Sequence, residues 1–145
     1  MYDRIRQALN DHDALARNLG IVIEELGPEH VRATMPFDER HHNGWQRVHG
    51  GASFTLADIA FTALAHACNV RTRKLNSSIS YSAPGLSGPL TAVGVMDCSS
   101  GSLCHITVRV TDGRGVLIAL MHADGQRTGE PFLADIPPLS ASGEA

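Results

Sequence analysis

The sequence has 145 residues, of which 43% are apolar and 19% charged, and its formal net charge is −3. This length suits one domain, and the composition is that of a globular chain able to bury a core. Charged or His side chains interrupt the apolar stretches before they reach the roughly 18 residues that a membrane-spanning helix needs. The acidic balance disfavours nucleic acid as a partner. The N-terminus lacks the apolar segment of a signal peptide and the three cysteines show no pairing pattern, so we expect a cytoplasmic protein.

The first half of the chain predicts two helices with a strand pair between them. Apolar residues at helical spacing occupy 2–19, and Gly20 is a natural end for this helix. Strand-like runs at 21–26 and 31–36 lie on either side of a Gly-Pro turn. From residue 52 to about 69 the chain has no Pro or Gly and is dominated by Ala, Leu and Phe. That composition favours a buried helix with apolar residues on nearly all sides.

The second half predicts an antiparallel sheet. Four strand-like runs are separated by turn residues, at 77–82, 90–99, 103–111 and 116–123. The turns at 100–101 and 112–115 are short, which favours consecutive hairpins. Beyond Asp124 the chain is rich in Gly, Pro and Ser, and we expect 126–145 to be a mobile tail. The chain is therefore predicted to be one α+β domain, 1–145, in which the sheet wraps around the buried helix and a partner subunit completes the burial.

Asp58 is the only charged residue in the apolar stretch from 52 to 69. A carboxylate is rarely buried unless it is paired or functional, and no Lys or Arg lies one helical turn away from it. Desolvation is expected to raise the pKa of such a group and to suit it to general-base or nucleophilic chemistry. For Asp58 alone, an equally good interpretation is a hydrogen bond to the backbone, to Thr55 or to Thr62, or a meeting with an arginine from elsewhere in the fold.

The segment His49-Gly50-Gly51 precedes this helix. A helix N-terminus presents unpaired N–H groups and a partial positive charge, and two glycines allow a ligand close to the backbone. The Gly50 N–H is therefore a candidate for polarising a carbonyl or an oxyanion. Taken alone, however, a glycine pair more often serves the torsion angles of a tight turn.

The polar loop before this segment carries Asn43, whose amide can orient a water molecule or hold a carbonyl. The loop also contains histidines, which raises the question of zinc. The spacing of His41, His42 and His49 matches no common zinc ligand set, so no metal site is expected.

Asp58 and Gly50 are separated by eight residues, or roughly 12 Å along a helix. Reaction at one carbonyl needs groups within about 3 Å of the reacting atoms. If both residues act on one substrate, they serve it from different subunits, as two antiparallel helices packed about a twofold axis would allow. The sequence thus predicts a composite active site in a dimer.

A spaced set of residues in this chain resembles the signature of the PaaI-type hotdog thioesterases of phenylacetate degradation. The set comprises Asn43, His49-Gly50-Gly51, Leu56-Ala57-Asp58, Ala60-Phe61 and Ala67-Cys68-Asn69. The likeness continues through the later strands to Gly143-Glu144-Ala145. The resemblance implies a hotdog fold, in which an antiparallel sheet wraps around one central helix, and dimers that pair into tetramers. It also implies hydrolysis of acyl-CoA. A thioester is activated enough that one carboxylate and one oriented amide dipole should suffice, so no metal or organic cofactor is expected, and CoA is part of the substrate.

The resemblance also implies roles for individual residues. Asp58 would be the general base or nucleophile, and the Gly50 N–H would polarise the thioester carbonyl. Asn43 would position the attacking water or the substrate, and His49 would orient the loop or stabilise the thiolate. Thr62, one turn after Asp58, would help to hold the water.

Contacts with the CoA part of the substrate are expected from Gly51 and from basic side chains. Relatives often carry a basic residue where this chain has Ala83, so the phosphates must be held by residues elsewhere. The candidates are Arg71, Arg73, Lys74, Arg109 and Arg114. For any single one of them, an ordinary solvated charge is the simpler interpretation.

We therefore predict an acyl-CoA thioesterase that acts on an arylacetyl or hydroxylated aryl-acyl group, such as hydroxyphenylacetyl. Two rivals remain: a hotdog enoyl-CoA hydratase or dehydratase, and a non-catalytic acyl-CoA-binding module. An Asp nine residues after the His of the His-Gly-Gly motif favours the thioesterase over the hydratase. The binding module is disfavoured because the chain keeps the whole set of Asn43, His49, Gly50 and Asp58.

Overall fold

The computed structural model describes residues 1–136. The α-helices within this range are α1 Tyr2–His12, α2 Ala14–Leu19 and α3 Gly50–Ala65. The strands in the same part of the chain are β1 Val22–Leu26, β2 His30–Met35, β3 Val70–Tyr81, β4 Leu90–Ser100, β5 Leu103–Thr111 and β6 Leu117–Pro131. None of the helices within residues 1–136 combines the length and the apolar character that crossing a membrane requires.

The six strands form one antiparallel sheet in the order β1-β2-β4-β5-β6-β3. Two short turns connect β4 to β5 and β5 to β6, as the hairpin prediction requires. Helix α3 contacts every one of the six strands, so the sheet curves around it. This is the helix-in-sheet arrangement expected from the sequence.

Helix α3 forms the centre of the core. Ten of its 16 residues are buried, and they lie on nearly all sides of the helix. The largest of them, Leu56, Phe61 and Leu64, meet inward-facing side chains of the strands. On β2 the buried residues alternate with more exposed ones, as the sequence pattern predicted. Since apolar burial drives folding, this contact between helix and sheet is the main source of stability.

The N-terminal helix differs from the prediction, because it is two helices rather than one. The break falls at Asp13, whose carboxylate accepts a hydrogen bond of 2.9 Å from the Ala16 N–H and so begins α2. Asp is among the preferred residues for capping a helix start. Gly20 ends α2 in a left-handed conformation with φ 74°, as predicted.

Two further boundaries differ from the prediction. Helix α3 ends at Ala65 instead of continuing to Asn69, which is buried in a left-handed conformation with φ 57°. Strand β3 begins at Val70 and not at residue 77, so the basic residues that follow Asn69 belong to the strand.

The C-terminal boundary is also later than predicted. Strand β6 continues to Pro131, so residues 126–131 belong to the sheet and not to a tail. The Asn69 amide holds the next segment by accepting from the Leu133 N–H and donating to the Leu133 and Ile136 carbonyls. The rest of the predicted tail, residues 137–145, lies outside the described part of the chain.

Candidate active site

Asp58 lies in the middle of α3, and its side chain keeps about a third of its surface exposed. The sequence offered no cation within one helical turn of it. The fold supplies one, because the Lys74 ammonium forms an ion pair with the Asp58 carboxylate. This is close to the alternative in which Asp58 meets a cation from elsewhere in the fold, although the residue is a lysine and not an arginine.

Lys74 reaches Asp58 from the inner face of β3. It lies opposite Gly125 in the β3–β6 ladder, and its Nζ is 5.1 Å from the centre of the Phe61 ring. Directly opposite residues share a face of the sheet, and a cation over an aromatic ring is attracted to it. Burial lowers the pKa of Lys74, while the adjacent carboxylate favours the charged form of the ammonium.

The start of α3 is held by His49. Its Nδ1 accepts a hydrogen bond of 2.8 Å from the Gly51 N–H, which makes the imidazole the cap of the helix. Of the two glycine N–H groups, that of Gly51 is therefore occupied. Among the residues that the structure describes, the Gly50 N–H has no hydrogen-bond partner, as expected at the first position of a helix.

Tyr81, at the end of β3, contacts the same turn of α3. Its hydroxyl donates a hydrogen bond of 3.0 Å to the Gly50 carbonyl. Nothing in the sequence except its place near a strand end marks Tyr81 for this contact. An open cleft of about 420 Å³ adjoins this contact. The residues that line the cleft are Val48, Gly50, Ser53, Tyr81, Ser82, Ala83, Pro84, Gly85 and Ile118.

Asn43 is used largely within its own loop. Its Oδ1 accepts hydrogen bonds from the N–H groups of Trp45, at 2.9 Å, and Arg47, at 3.1 Å. The side-chain oxygen is therefore committed to the turn, and within residues 1–136 the amide NH2 makes no hydrogen bond. The end of the loop is held next to the start of α3 by a hydrogen bond from the Val48 N–H to the Gly85 carbonyl.

Thr62 lies one turn after Asp58, and its hydroxyl donates to the Asp58 backbone carbonyl at 2.9 Å. The side chain borders a narrow gap shared with Leu9 and Asn10 of α1. It therefore faces the N-terminal helices, whereas Lys74 approaches Asp58 from the side of Phe61. The structure does not bring the Thr62 hydroxyl and Lys74 together.

The remaining basic candidates of β3 differ from Lys74 in their surroundings. Arg71 is exposed and lies 3.6 Å from Glu130, and Arg73 donates to the Gln126 side chain at 2.9 Å. Both remain at the surface, where they are accessible to an anionic ligand. Within residues 1–136, no group of three His, Cys, Asp or Glu side chains is placed to share a metal ion.

The eight-residue separation of Asp58 and Gly50 is preserved in an unbroken helix. It corresponds to roughly 12 Å along the axis. One chain thus keeps the Asp58 carboxylate and its lysine well apart from the free N–H at the start of α3. If both groups act on one substrate, a second copy of the chain has to bring them together.

A curved antiparallel sheet wrapped around one central helix is the hotdog fold. Residues 5–124 match the family model described as "Domain of unknown function (DUF4442)". The acyl-coenzyme A thioesterase PaaI of Escherichia coli K12 is 30% identical over 126 residues, covering 84% of this chain and 88% of the relative.

Solved structures with a similar fold include two thioesterase-related proteins. The E. coli PaaI protein from the phenylacetic acid degradation operon has a TM-score of 0.85 at 25% identity, over 90% of this chain and 95% of that one. A thioesterase from Haemophilus influenzae has a TM-score of 0.79 at 20% identity, over 92% of each chain. The chain therefore belongs to the PaaI-type family of hotdog-fold acyl-CoA thioesterases.

Proposed function

We propose that this protein hydrolyses the thioester of an aryl-acyl-CoA, of the hydroxyphenylacetyl type, to the free acid and CoA. The observation that carries the reaction is Asp58, a carboxylate kept in an otherwise apolar helix and held by Lys74. The aryl-acyl assignment is supported by the E. coli relative, which comes from the phenylacetic acid degradation operon. The three cysteines are unpaired in the structure, which suits a reducing compartment such as the cytoplasm.

The proposed reaction uses one carboxylate and one oriented N–H. Water attacks the thioester carbonyl carbon, and Asp58 takes a proton from the water. The oxyanion of the tetrahedral intermediate accepts from the N–H of Gly50 of the partner subunit. When the C–S bond breaks, the carbonyl re-forms and the proton on Asp58 passes to the CoA thiolate. This hydrolysis needs neither a metal nor an organic cofactor.

A second route has the same overall balance. Asp58 attacks the carbonyl carbon itself, the C–S bond breaks to give CoA thiolate, and a mixed anhydride forms on Asp58. Water then cleaves the anhydride and restores the carboxylate. A single turnover in ¹⁸O-labelled water detects this route when the water attacks the Asp58 carbonyl of the anhydride, because the label then appears in the Asp58 carboxylate instead of the product acid.

The composite site is supported by the edge of the sheet. Strand β3 has 12 residues, pairs with β6 on one side and forms the sheet edge on the other. Leu75 and Tyr81 on this strand are each 55% exposed. A long edge with exposed apolar side chains is stabilised by pairing with another strand. We infer a homodimer in which two β3 strands pair and the α3 helices lie antiparallel, and two such dimers form the tetramer.

CoA is expected to lie across the outer part of this interface. Arg71 and Arg73 are exposed on β3 and suit the phosphates of CoA, which Arg binds through several N–H donors. The amide NH2 of Asn43 and the capped helix start at His49 would line the acyl end, next to the cleft beside Gly50. Thr62 would help to hold the water only if its hydroxyl leaves the Asp58 carbonyl.

The experiment is a substrate panel. Thiol release is measured for hydroxyphenylacetyl-CoA, benzoyl-CoA and straight-chain acyl-CoA thioesters, and hydration of an enoyl-CoA is followed separately. We expect the highest kcat/KM for the aryl-acyl thioesters. Faster hydrolysis of straight-chain substrates would contradict the aryl-acyl assignment. Hydration without thiol release would indicate a hydratase, and binding of acyl-CoA without either reaction would indicate a binding module.

A further inference from the structure

We propose that Lys74 is a positioning residue for Asp58: its ammonium holds the carboxylate ionised and aimed at the composite site. The proposal rests on the proposed function, because it assigns Lys74 a part in that hydrolysis. Lys74 is also the only lysine in the 145-residue sequence, in which all the other cationic side chains are arginines. A lysine at this position supplies a compact point charge on a flexible stem.

The backbone of β3 explains how a residue of the sheet edge reaches α3. The β3–β6 register shifts between Lys74 and Asn76, so Leu75 is an extra residue in the strand. Such a bulge redirects the side chains on either side of it. Lys74 faces inward opposite Gly125, which has no side chain to block it, while Asn76 pairs with Asp124. Because of the bulge, Lys74 and Asn76 face opposite sides of the sheet.

Within residues 1–136, Asp58 is the acidic side chain that pairs with Lys74. The ammonium lies over the Phe61 ring, and both members of the pair are about one-third exposed. The titratable groups on the elements packed nearby are His66 at the end of α3 and Cys104 on β5. Burial lowers the pKa of His66 and raises that of Cys104, so both are uncharged near neutral pH. On the opposite face of the sheet, Asp124 is paired with His105.

The geometry argues against the phosphate-binding role that the sequence suggested for Lys74. Its ammonium is turned toward the helix and is occupied by Asp58. Its side chain is 29% exposed, whereas that of Arg71 is 61% exposed. A phosphate contact and a positioning contact also make different predictions, since the first depends on the nucleotide part of CoA and the second on the reacting carbonyl alone.

The first test is kinetic and uses two thioesters of the same acid. One is the CoA thioester, and the other is the N-acetylcysteamine thioester, which has no phosphates. We expect Lys74→Ala to lower kcat by about tenfold to a hundredfold on both, with little change in KM. Lys74→Arg should recover most of the loss. Arg32→Ala is the control, because it removes a strand cation that pairs with Glu24 and Glu25 away from the site, and it should leave both constants unchanged.

The pH profile gives a readout that a purely structural lysine would not move. A nearby cation favours the charged form of a carboxylate, so its removal should shift the acid limb of kcat/KM upward by about one pH unit. The proposal is overturned if Lys74→Ala leaves the acid limb and kcat in place. It is also overturned if the loss is confined to KM for the CoA thioester and vanishes with the N-acetylcysteamine substrate.

The second test does not depend on activity. Labelling with lysine enriched in ¹³C at Cε gives one side-chain NMR signal, because the sequence has one lysine. We expect this signal to follow the titration of a carboxylate at acid pH in the wild type and to lose that step in Asp58→Asn. An identical titration in both proteins would overturn the pairing. A wild type that shows the step but cleaves no thioester would instead overturn the proposed reaction.

Discussion

The Tyr81 hydroxyl donates a hydrogen bond of 3.0 Å to the carbonyl oxygen of Gly50, the residue at which the central helix begins. This bond ties the end of the edge strand β3 to the helix start that the proposed reaction uses. The same strand supplies Lys74 to Asp58. Both halves of the site therefore depend on how β3 lies against α3.

Tyr81→Phe tests the hydrogen bond between Tyr81 and Gly50. A neutral hydrogen bond contributes about 1 kcal/mol, so its loss at the helix start should lower kcat/KM by about fivefold. Tyr2→Phe is the matched control, since the sequence has two tyrosines and Tyr2 lies in α1. Steady-state kinetics on both variants gives the comparison. Equal activity of Tyr81→Phe and the wild type would mean that this bond does not position Gly50.

Gly50→Ala tests the space beside the helix start. A Cβ at this position would lie 3.3 Å from the Tyr81 ring, a tight contact that the ring must relieve by a small shift. We expect a folded protein whose kcat/KM falls by about tenfold, because small displacements of reacting groups are costly. Gly44→Ala should leave kcat/KM unchanged, since nothing lies within 4 Å of a Cβ added at this position. Comparable losses in the two variants would argue against a specific role for Gly50.

Asn69 provides a test of stability away from the site. It is buried, its amide makes three hydrogen bonds to the segment after β6, and its φ is 57°. We expect Asn69→Ala to lower the free energy of unfolding by about 2–4 kcal/mol, from lost hydrogen bonds and a strained backbone. Asn69→Gly should lose less, because glycine adopts this conformation without strain. Denaturant unfolding measures the stability of both variants. If they are as stable as the wild type, the Asn69 amide does not stabilise the segment after β6.

Asp112 gives a prediction for pH. Burial raises its pKa, but hydrogen bonds from the Arg114 side chain and from the Leu86, Arg114 and Val116 N–H groups outweigh burial and hold it below the ordinary value of 3.8. A carboxyl with a depressed folded-state pKa stabilises the protein above its unfolded value, and that stability is lost as the pH falls through the folded value. Asp112→Asn should therefore cost about 1–3 kcal/mol at pH 7.

The difference between the wild type and Asp112→Asn should shrink as the pH falls below 3.8. Denaturant unfolding of both proteins at pH 7, 5 and 3 measures it. A difference that stays constant over this range would show that the ionised carboxylate is not what stabilises the turn.

Much of the fold could be predicted because its signals are local. The apolar stretch around Leu56 and Leu64 has the composition of a buried helix, and the turn residues between the later strands fix two hairpins. The break at Asp13 was missed because helical spacing continues across it and the cap acts over only three residues. The early start of β3 was missed because a strand at a sheet edge with many polar side chains lacks a clear alternation.

The candidate site was only partly predictable. Asp58 and Gly50 stand out by residue type, since a charge is unusual in an apolar helix and glycines are unusual at its start. The contact of Lys74 with Asp58 was not predictable, because 16 residues separate them and the bulge at Leu75 decides which way the lysine faces. No local pattern distinguishes Lys74 from Arg73, yet the two side chains face different surroundings.

The most direct test of the account is thiol release from hydroxyphenylacetyl-CoA by the wild type and by Asp58→Asn, at saturating substrate. The asparagine keeps the shape of the side chain and removes its capacity to accept a proton or attack a carbonyl. We predict a fall in kcat of about a hundredfold or more, with acyl-CoA binding retained. An Asp58→Asn protein that keeps activity within about threefold of the wild type would place the catalytic base elsewhere and contradict the account.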